Sequence, residues 1–174
     1  IRDFCLSRGL GDVYKRQKIE RLQEFNINGL NKVEFYICTN IGETTKPLVK
    51  VASGGEMSRL MLAIKSVFAK TDDVPVLVFD EIDTGISGKA AKAVGEKLKI
   101  ISKVHQVICI THLAPIAARG DYNYYISKNV REEKTVTTIK QLNEEETINE
   151  IARIATGEVT EISKQHAIEL RKAS

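Results

Sequence analysis

Asp80 and Glu81 end the apolar run VLVF at residues 76–79, so two carboxylates stand where a buried strand would reach the surface. Paired acids at such a strand end suit phosphoryl transfer. The first can hold Mg²⁺ through its water shell, and the second can orient and deprotonate the water that attacks a γ-phosphate. The plainer reading is a strand that stops in a solvated acidic loop. Ser53-Gly54-Gly55-Glu56 opens a helical apolar pattern and offers a hydroxyl, unobstructed backbone N–H groups and the positive end of a helix dipole. Those groups make an anion receptor able to grip a γ-phosphate, and the same four residues equally fit a capping box with flexible glycines. His112 follows a second apolar run, residues 106–110, and could donate to the same phosphate. A histidine at a strand terminus also serves as a partner for a nearby backbone group.

A phosphate-cradling P-loop would read G-x-x-x-x-G-K-[ST], and no such run occurs in this sequence. Gly85-Ile86-Ser87-Gly88-Lys89 looks like one, but its spacing is too short and Ala90 stands where a hydroxyl is required. The chain therefore carries water-activating and phosphate-sensing parts without the loop that holds a nucleotide. By itself it is expected not to hydrolyse ATP.

These residues need a scaffold that delivers them to one edge. The uninterrupted apolar character of residues 76–79 predicts a parallel strand covered on both faces, with Pro75 opening it. Ser87 caps a predicted helix over 88–102 that turns Ala91, Val94, Leu98 and Ile101 to the sheet, and residues 106–110 form the next strand. Strand, helix and strand make one right-handed βαβ unit with both polar ends at the carboxyl edge, where open α/β sheets bind ligands. Upstream, residues 33–39 alternate as a strand, 40–43 supply a turn, and a helix runs from Met57 to Lys70. Downstream come a short helix around Pro115, a hairpin of residues 122–128 and 135–142 on the sheet's rim, a helix capped by Asn143 and ended by Gly157, and a final helix over 163–172. Residues 18–25 place Ile19, Leu22 and Phe25 three apart, as on a short helix, before Asn26-Ile27-Asn28-Gly29 breaks it. Residues 1–17 have no periodicity and read as a disordered or foreign leader.

With 174 residues and 43% hydrophobic content, the chain has room for one ordinary core. Twenty-six Lys and Arg against 23 Asp and Glu leave a net charge of +3, which selects neither a nucleic-acid nor a membrane surface. Cys5, Cys38 and Cys109 lack metal-site spacing and fit a reducing cytoplasm. No window approaches the roughly 18 consecutive apolar residues of a membrane span.

Four stretches carry a resemblance. ASGGEMSRLMLAIK at 52–65 resembles the signature motif and helix of ABC-type ATPases, VLVFDE their Walker B strand, Ile82-Asp83-Thr84-Gly85 their D-loop, and Ile110-Thr111-His112 their switch histidine. FDEIDTGISGKAA followed by HQVICITHLAPIAA is similar to the SMC-like members that act in bacterial DNA repair. The resemblance implies an α/β fold of the P-loop NTPase superfamily, the C-terminal lobe of an ATPase head. That lobe is mainly a parallel sheet flanked by helices, with a β-hairpin near its C-terminal side. It implies residues 31–174 as the lobe, 18–30 as the returning end of a coiled coil and its linker, and a P-loop on the N-terminal lobe of the same protein. It further implies an ATP-dependent homodimer of heads. There Ser53, Gly54, Gly55 and Glu56 close on the partner's ATP, and Glu81 and His112 are catalytic. Asp80 serves Mg²⁺ through water and Asp83 bridges across the dimer. The action is on DNA at double-strand breaks, in the cytoplasm at the nucleoid. A nucleotide-binding domain of an ABC transporter is the alternative, set back by Glu56, where transporters more often carry Gln.

Overall fold

A computed structural model of the chain describes residues 4–5, 14–38, 44–51, 53–69, 71, 73–131 and 134–173. It divides the chain into two compact units, Ile1–Ser53 and Gly54–Ser174. The division falls inside the stretch expected to be one lobe, between Ser53 and Gly54.

The first unit is an antiparallel sheet with strand order β1 (Phe4–Cys5), β2 (Tyr14–Asn26), β3 (Gly29–Cys38) and β4 (Lys46–Pro47), followed by a short helix α1 (Leu48–Val51). Residues 18–25, expected as a helix, lie in β2. Their apolar spacing covers barely two turns, and so short a helix has little stability of its own. The alternating strand β3 supplies a full pairing edge instead, with Gln17 opposite Phe35, Ile19 opposite Val33 and Arg21 opposite Asn31. Asn26 to Gly29, read as a helix stop, is the hairpin turn: the Asn28 N–H donates to Asn26 Oδ1 at 2.7 Å, and Gly29 takes φ 101°. Residues 14–17 and 4–5 of the expected leader are likewise in strands; its remainder and the predicted turn at 40–43 lie outside the described residues.

The second unit holds the βαβ arrangement. Helix α2 (Gly54–Phe68) precedes β5 (Val76–Phe79), α3 (Gly88–Ile101) and β6 (Gln106–Cys109). The two strands pair in parallel from Val76↔Gln106 to Phe79↔Cys109. Leu62 of α2, Leu77 and Phe79 of β5, Leu98 and Ile101 of α3, Ile82 and Ile116 form the core. Each such side chain contributes about 1.5–3 kcal/mol on full burial. His105 fastens the start of β6, its Nδ1 lying 2.6 Å from the Val74 carbonyl oxygen.

Among the described residues of this unit, one face of the pair is covered and the other is not. Val78 is 63% exposed and Ile108 47% exposed, while Leu77 and Phe79 are buried. Residues 76–79 were expected to be covered on both sides; the described helices of this unit pack on one side.

Helix α4 (Ala114–Ala117) follows β6, and the hairpin β7 (Tyr124–Arg131) and β8 (Lys134–Gln141) forms a separate two-stranded sheet, which among the described residues is not hydrogen-bonded to the parallel pair as a rim would be. Helices α5 (Glu144–Thr156) and α6 (Glu161–Lys172) close the unit around Ala114, Ala118, Ile151, Ala152 and Ala167. Asn143 caps α5 in a capping box with Glu146, and Gly157 ends it at φ 85°. Helix α6 starts earlier than its apolar pattern suggests, because Thr160 and Ser163 make a second capping box.

Candidate functional site

The site assembles at the carboxyl edge of β5 and β6, within the second unit. Phe79 is the last buried residue of β5, and beyond it Asp80 and Glu81 are exposed. Glu81 takes φ 55°, a left-handed backbone conformation that non-glycine residues seldom adopt. It turns the chain sharply out of the strand. The turn is tied locally by the Glu81 N–H donating to Asp80 Oδ1 at 2.9 Å and the Thr84 N–H donating to the Glu81 carbonyl at 3.1 Å. Ile82, fully buried, pulls the loop back onto the core.

Helix α2 holds this loop from the side. Ser58 donates its hydroxyl to the Asp80 carbonyl at 2.7 Å, and Arg59 Nη1 donates to the carbonyls of Ile82 at 3.1 Å and Thr84 at 2.8 Å. Neither residue was singled out from sequence. Their available signal was position: four residues beyond Gly54 and Gly55, each lies one turn further along the same helical face. The glycines themselves are needed for close approach. A Cβ on Gly54 would stand 2.1 Å from Glu81 Oε2, and one on Gly55 would stand 2.7 Å from the Glu81 carbonyl oxygen. The anion lying against this helix start is therefore the chain's own Glu81, at the end of α2 where the helix dipole favours negative charge.

Asp83 behaves differently from the acids before it. It is 2% exposed. Its Oδ2 accepts from the Thr111 hydroxyl at 2.6 Å and the His112 backbone N–H at 2.8 Å, and lies 3.1 Å from His112 Nδ1. Within this chain its carboxylate is turned inward and engaged at the end of β6. Thus the structure brings Gly54, Gly55, Asp80, Glu81, Asp83 and His112 to one edge. Glu56 sits in the first turn of α2, and Ser53 belongs to the other unit.

Beneath the edge, Cys109 is pushed up to about 12 by burial first, and then by the nearby charges of Asp83 and Asp80. Its thiol stays protonated and acts as an apolar floor. Among the described residues no three or more His, Cys, Asp and Glu side chains gather as a protein-only metal cage. Mg²⁺ needs none, because one carboxylate with waters and substrate phosphates completes its octahedron. Asp80, exposed at the strand end, is a suitable carboxylate. Among the described residues, no helix is long and apolar enough to cross a membrane.

No family model matches the chain. Among curated proteins it is 47% identical over 171 residues to the DNA repair protein RecN of Halalkalibacterium halodurans, covering 98% of this chain and 30% of that protein. It is 50% identical over 145 residues to RecN of Bacillus subtilis, covering 83% of this chain and 25% of that one. With RecN of Deinococcus radiodurans it shares 42% over 169 residues, 96% of this chain and 30% of that protein. The chain thus spans less than a third of these relatives' length, and two of the alignments extend into residues 1–17. Among solved structures, an Smc head domain with an extended coiled coil from Pyrococcus furiosus, bound to the C-terminal domain of ScpA, matches with TM-score 0.52 at 26% identity. That match covers 78% of this chain and 32% of that one. An Smc head domain with coiled coil and joint from Pyrococcus yayanosii matches with TM-score 0.55 at 23% identity, covering 81% and 26%. The second shows the fold alone.

Proposed function

The chain belongs to the RecN family of DNA repair proteins over the stretch it shares with them, and from that footing we propose that it is the water-activating lobe of an SMC-like ATPase head. The observation that carries this reading is the meeting of Glu81 with Gly54 and Gly55 at the strand edge where His112 is also held. Three separate sequence stretches, at 54–55, 80–83 and 111–112, converge there, which suits the positioning that phosphoryl transfer depends on. The transporter alternative draws no support from the relatives, which are DNA repair proteins.

In the full-length protein, ATP is the substrate and a P-loop outside this chain cradles it. Asp80 holds Mg²⁺ through water. Glu81 accepts a proton from the attacking water, its carboxylate presented at the surface by the left-handed turn. His112 faces the γ-phosphate. The α2 start, with Ser53, Gly54, Gly55 and Glu56, closes on the nucleotide of a second head, so that hydrolysis is tied to head pairing. When that phosphate arrives it meets a helix end against which Glu81 now lies, so engagement of one nucleotide is felt at the base that serves the other. The DNA partner follows from the relatives' role, and a protein acting on chromosomal breaks works at the nucleoid. This chain alone is inactive for want of a P-loop.

Glu81→Gln in the full-length protein tests the reading, since it keeps the shape and removes the base. Turnover should fall by about 10²–10⁴-fold, while ATP still binds and paired heads accumulate on a sizing column. Wild-type turnover in that variant would take the base role away from Glu81.

A further inference from the structure

A buried carboxylate is costly unless donors satisfy it, and Asp83 accepts two hydrogen bonds, from the Thr111 hydroxyl and the His112 N–H, with His112 Nδ1 close by. The Thr111 hydroxyl accepts from the Leu113 N–H at 3.1 Å, which directs its own hydrogen to Asp83 at 2.6 Å. The His112 backbone N–H fixes the main chain against the same oxygen at 2.8 Å, and the ring's Nδ1 lies 3.1 Å from it. The imidazole is nevertheless 71% exposed, in contrast to its 3% exposed partner. One edge of the ring is therefore anchored to the interior while the rest of it faces outward. The two nitrogens of an imidazole are distinct, and a hydrogen bond at one decides what the other presents.

We propose that Asp83 is a positioning residue for His112. It holds Nδ1 through a hydrogen bond and presents Nε2 to the terminal phosphate of a bound nucleoside triphosphate. Thr111 aims the carboxylate, and the unit spans two strand ends, so the histidine is oriented before substrate arrives. Such preorganisation contributes to the reaction step because no ordering of the ring remains to be done. This assignment rests on the proposed ATPase reading for its catalytic consequence, but the ring's fixed orientation stands apart from it.

The test uses full-length protein labelled with nitrogen-15 at histidine, with the His112 resonances identified by their loss in His112→Ala. Wild type should show hydrogen-bonded Nδ1–H, and Asp83→Asn should shift those resonances. The same substitution should lower kcat by about 10–100-fold, as losing a carboxylate behind a functional histidine does, with KM for ATP moving by less than about twofold. Added to His112→Ala, it should cost nothing further, since both changes disable one device. A wild-type ring without hydrogen at Nδ1 would overturn the assignment, and needs no change at Asp83. Unshifted resonances in Asp83→Asn, or a full additional loss in the His112→Ala background, would overturn it too. Wild-type turnover in Glu81→Gln would count against the ATPase reading alone, leaving the ring spectrum to decide Asp83.

Discussion

The edge formed by β5 and β6 and the helical cluster of α4, α5 and α6 differ in what their fastenings hold. In the cluster the starts of two helices are fastened locally, Asn143 pairing with Glu146 at the start of α5 and Thr160 with Ser163 at the start of α6, while Arg171 of α6 reaches across to Glu144 and to the Ala118 and Gly120 carbonyls. Both α5 and α6 carry their own caps within a single turn. At the edge the turn's own local bonds are joined by side-chain donors from far along the chain, with Ser58 on the Asp80 carbonyl, Arg59 on the Ile82 and Thr84 carbonyls and Thr111 on Asp83. The cluster is ordinary helix chemistry repeated. The edge tolerates a left-handed Glu81 and two exposed acids because surrounding elements hold its backbone in place.

The largest contrast should appear in thiol chemistry. Cys109 lies beneath the edge, raised from 9.0 to about 12 by burial and then by Asp83 and Asp80. At pH 8 it should form about a thousandfold less thiolate than an ordinary cysteine and alkylate correspondingly slowly, as read by iodoacetamide labelling and peptide mass spectrometry. The sign for stability follows. Unfolded chain releases this proton from 9.0 upward and folded chain only near 12, so between those values rising pH draws the equilibrium toward the unfolded state. Fast labelling at pH 8 would mean that the floor of the edge is open to water.

Next in size is overpacking at the start of α2. Gly55→Ala drives a Cβ to 2.7 Å from a backbone oxygen of Glu81. The result should be a loss of about 1–3 kcal/mol in urea denaturation. Gly54→Ala meets only the far end of the Glu81 side chain, so stability should fall less and turnover of the full-length protein more. Equal stability losses from the two would erase the distinction between backbone and carboxylate contact.

The smallest effect belongs to the cluster. Asn143→Ala removes the cap of α5 and should cost about 1 kcal/mol in the same denaturation measurement. ATP turnover should not change. A change in turnover would show that the two regions are coupled more closely than their separate fastenings suggest.

Much of this arrangement was legible in the sequence. Residues 76–79 and 106–109 announced strands by apolar runs that stop at polar pairs, Ala91, Leu98 and Ile101 announced the inner side of α3, and Asn143 and Gly157 announced both ends of α5. Asp80, Glu81 and His112 were found because they follow directly on such runs. Ser58 and Arg59 were missed because their partners are main-chain oxygens more than twenty residues away, which no local pattern encodes. Residues 18–25 were misread because a three-residue apolar spacing is weak evidence beside a ready pairing edge on β3.

By itself the sequence determined where helices and strands of the second unit lie and which polar residues end them, since period, caps and turns act within a few residues. Only the tertiary structure decided what those polar residues became. Asp80, Glu81 and Asp83 are three carboxylates within four positions, indistinguishable by type, yet two are exposed and one is buried beneath His112. That difference arises from donors brought together by folding, and a buried charge takes its role from the groups that surround it.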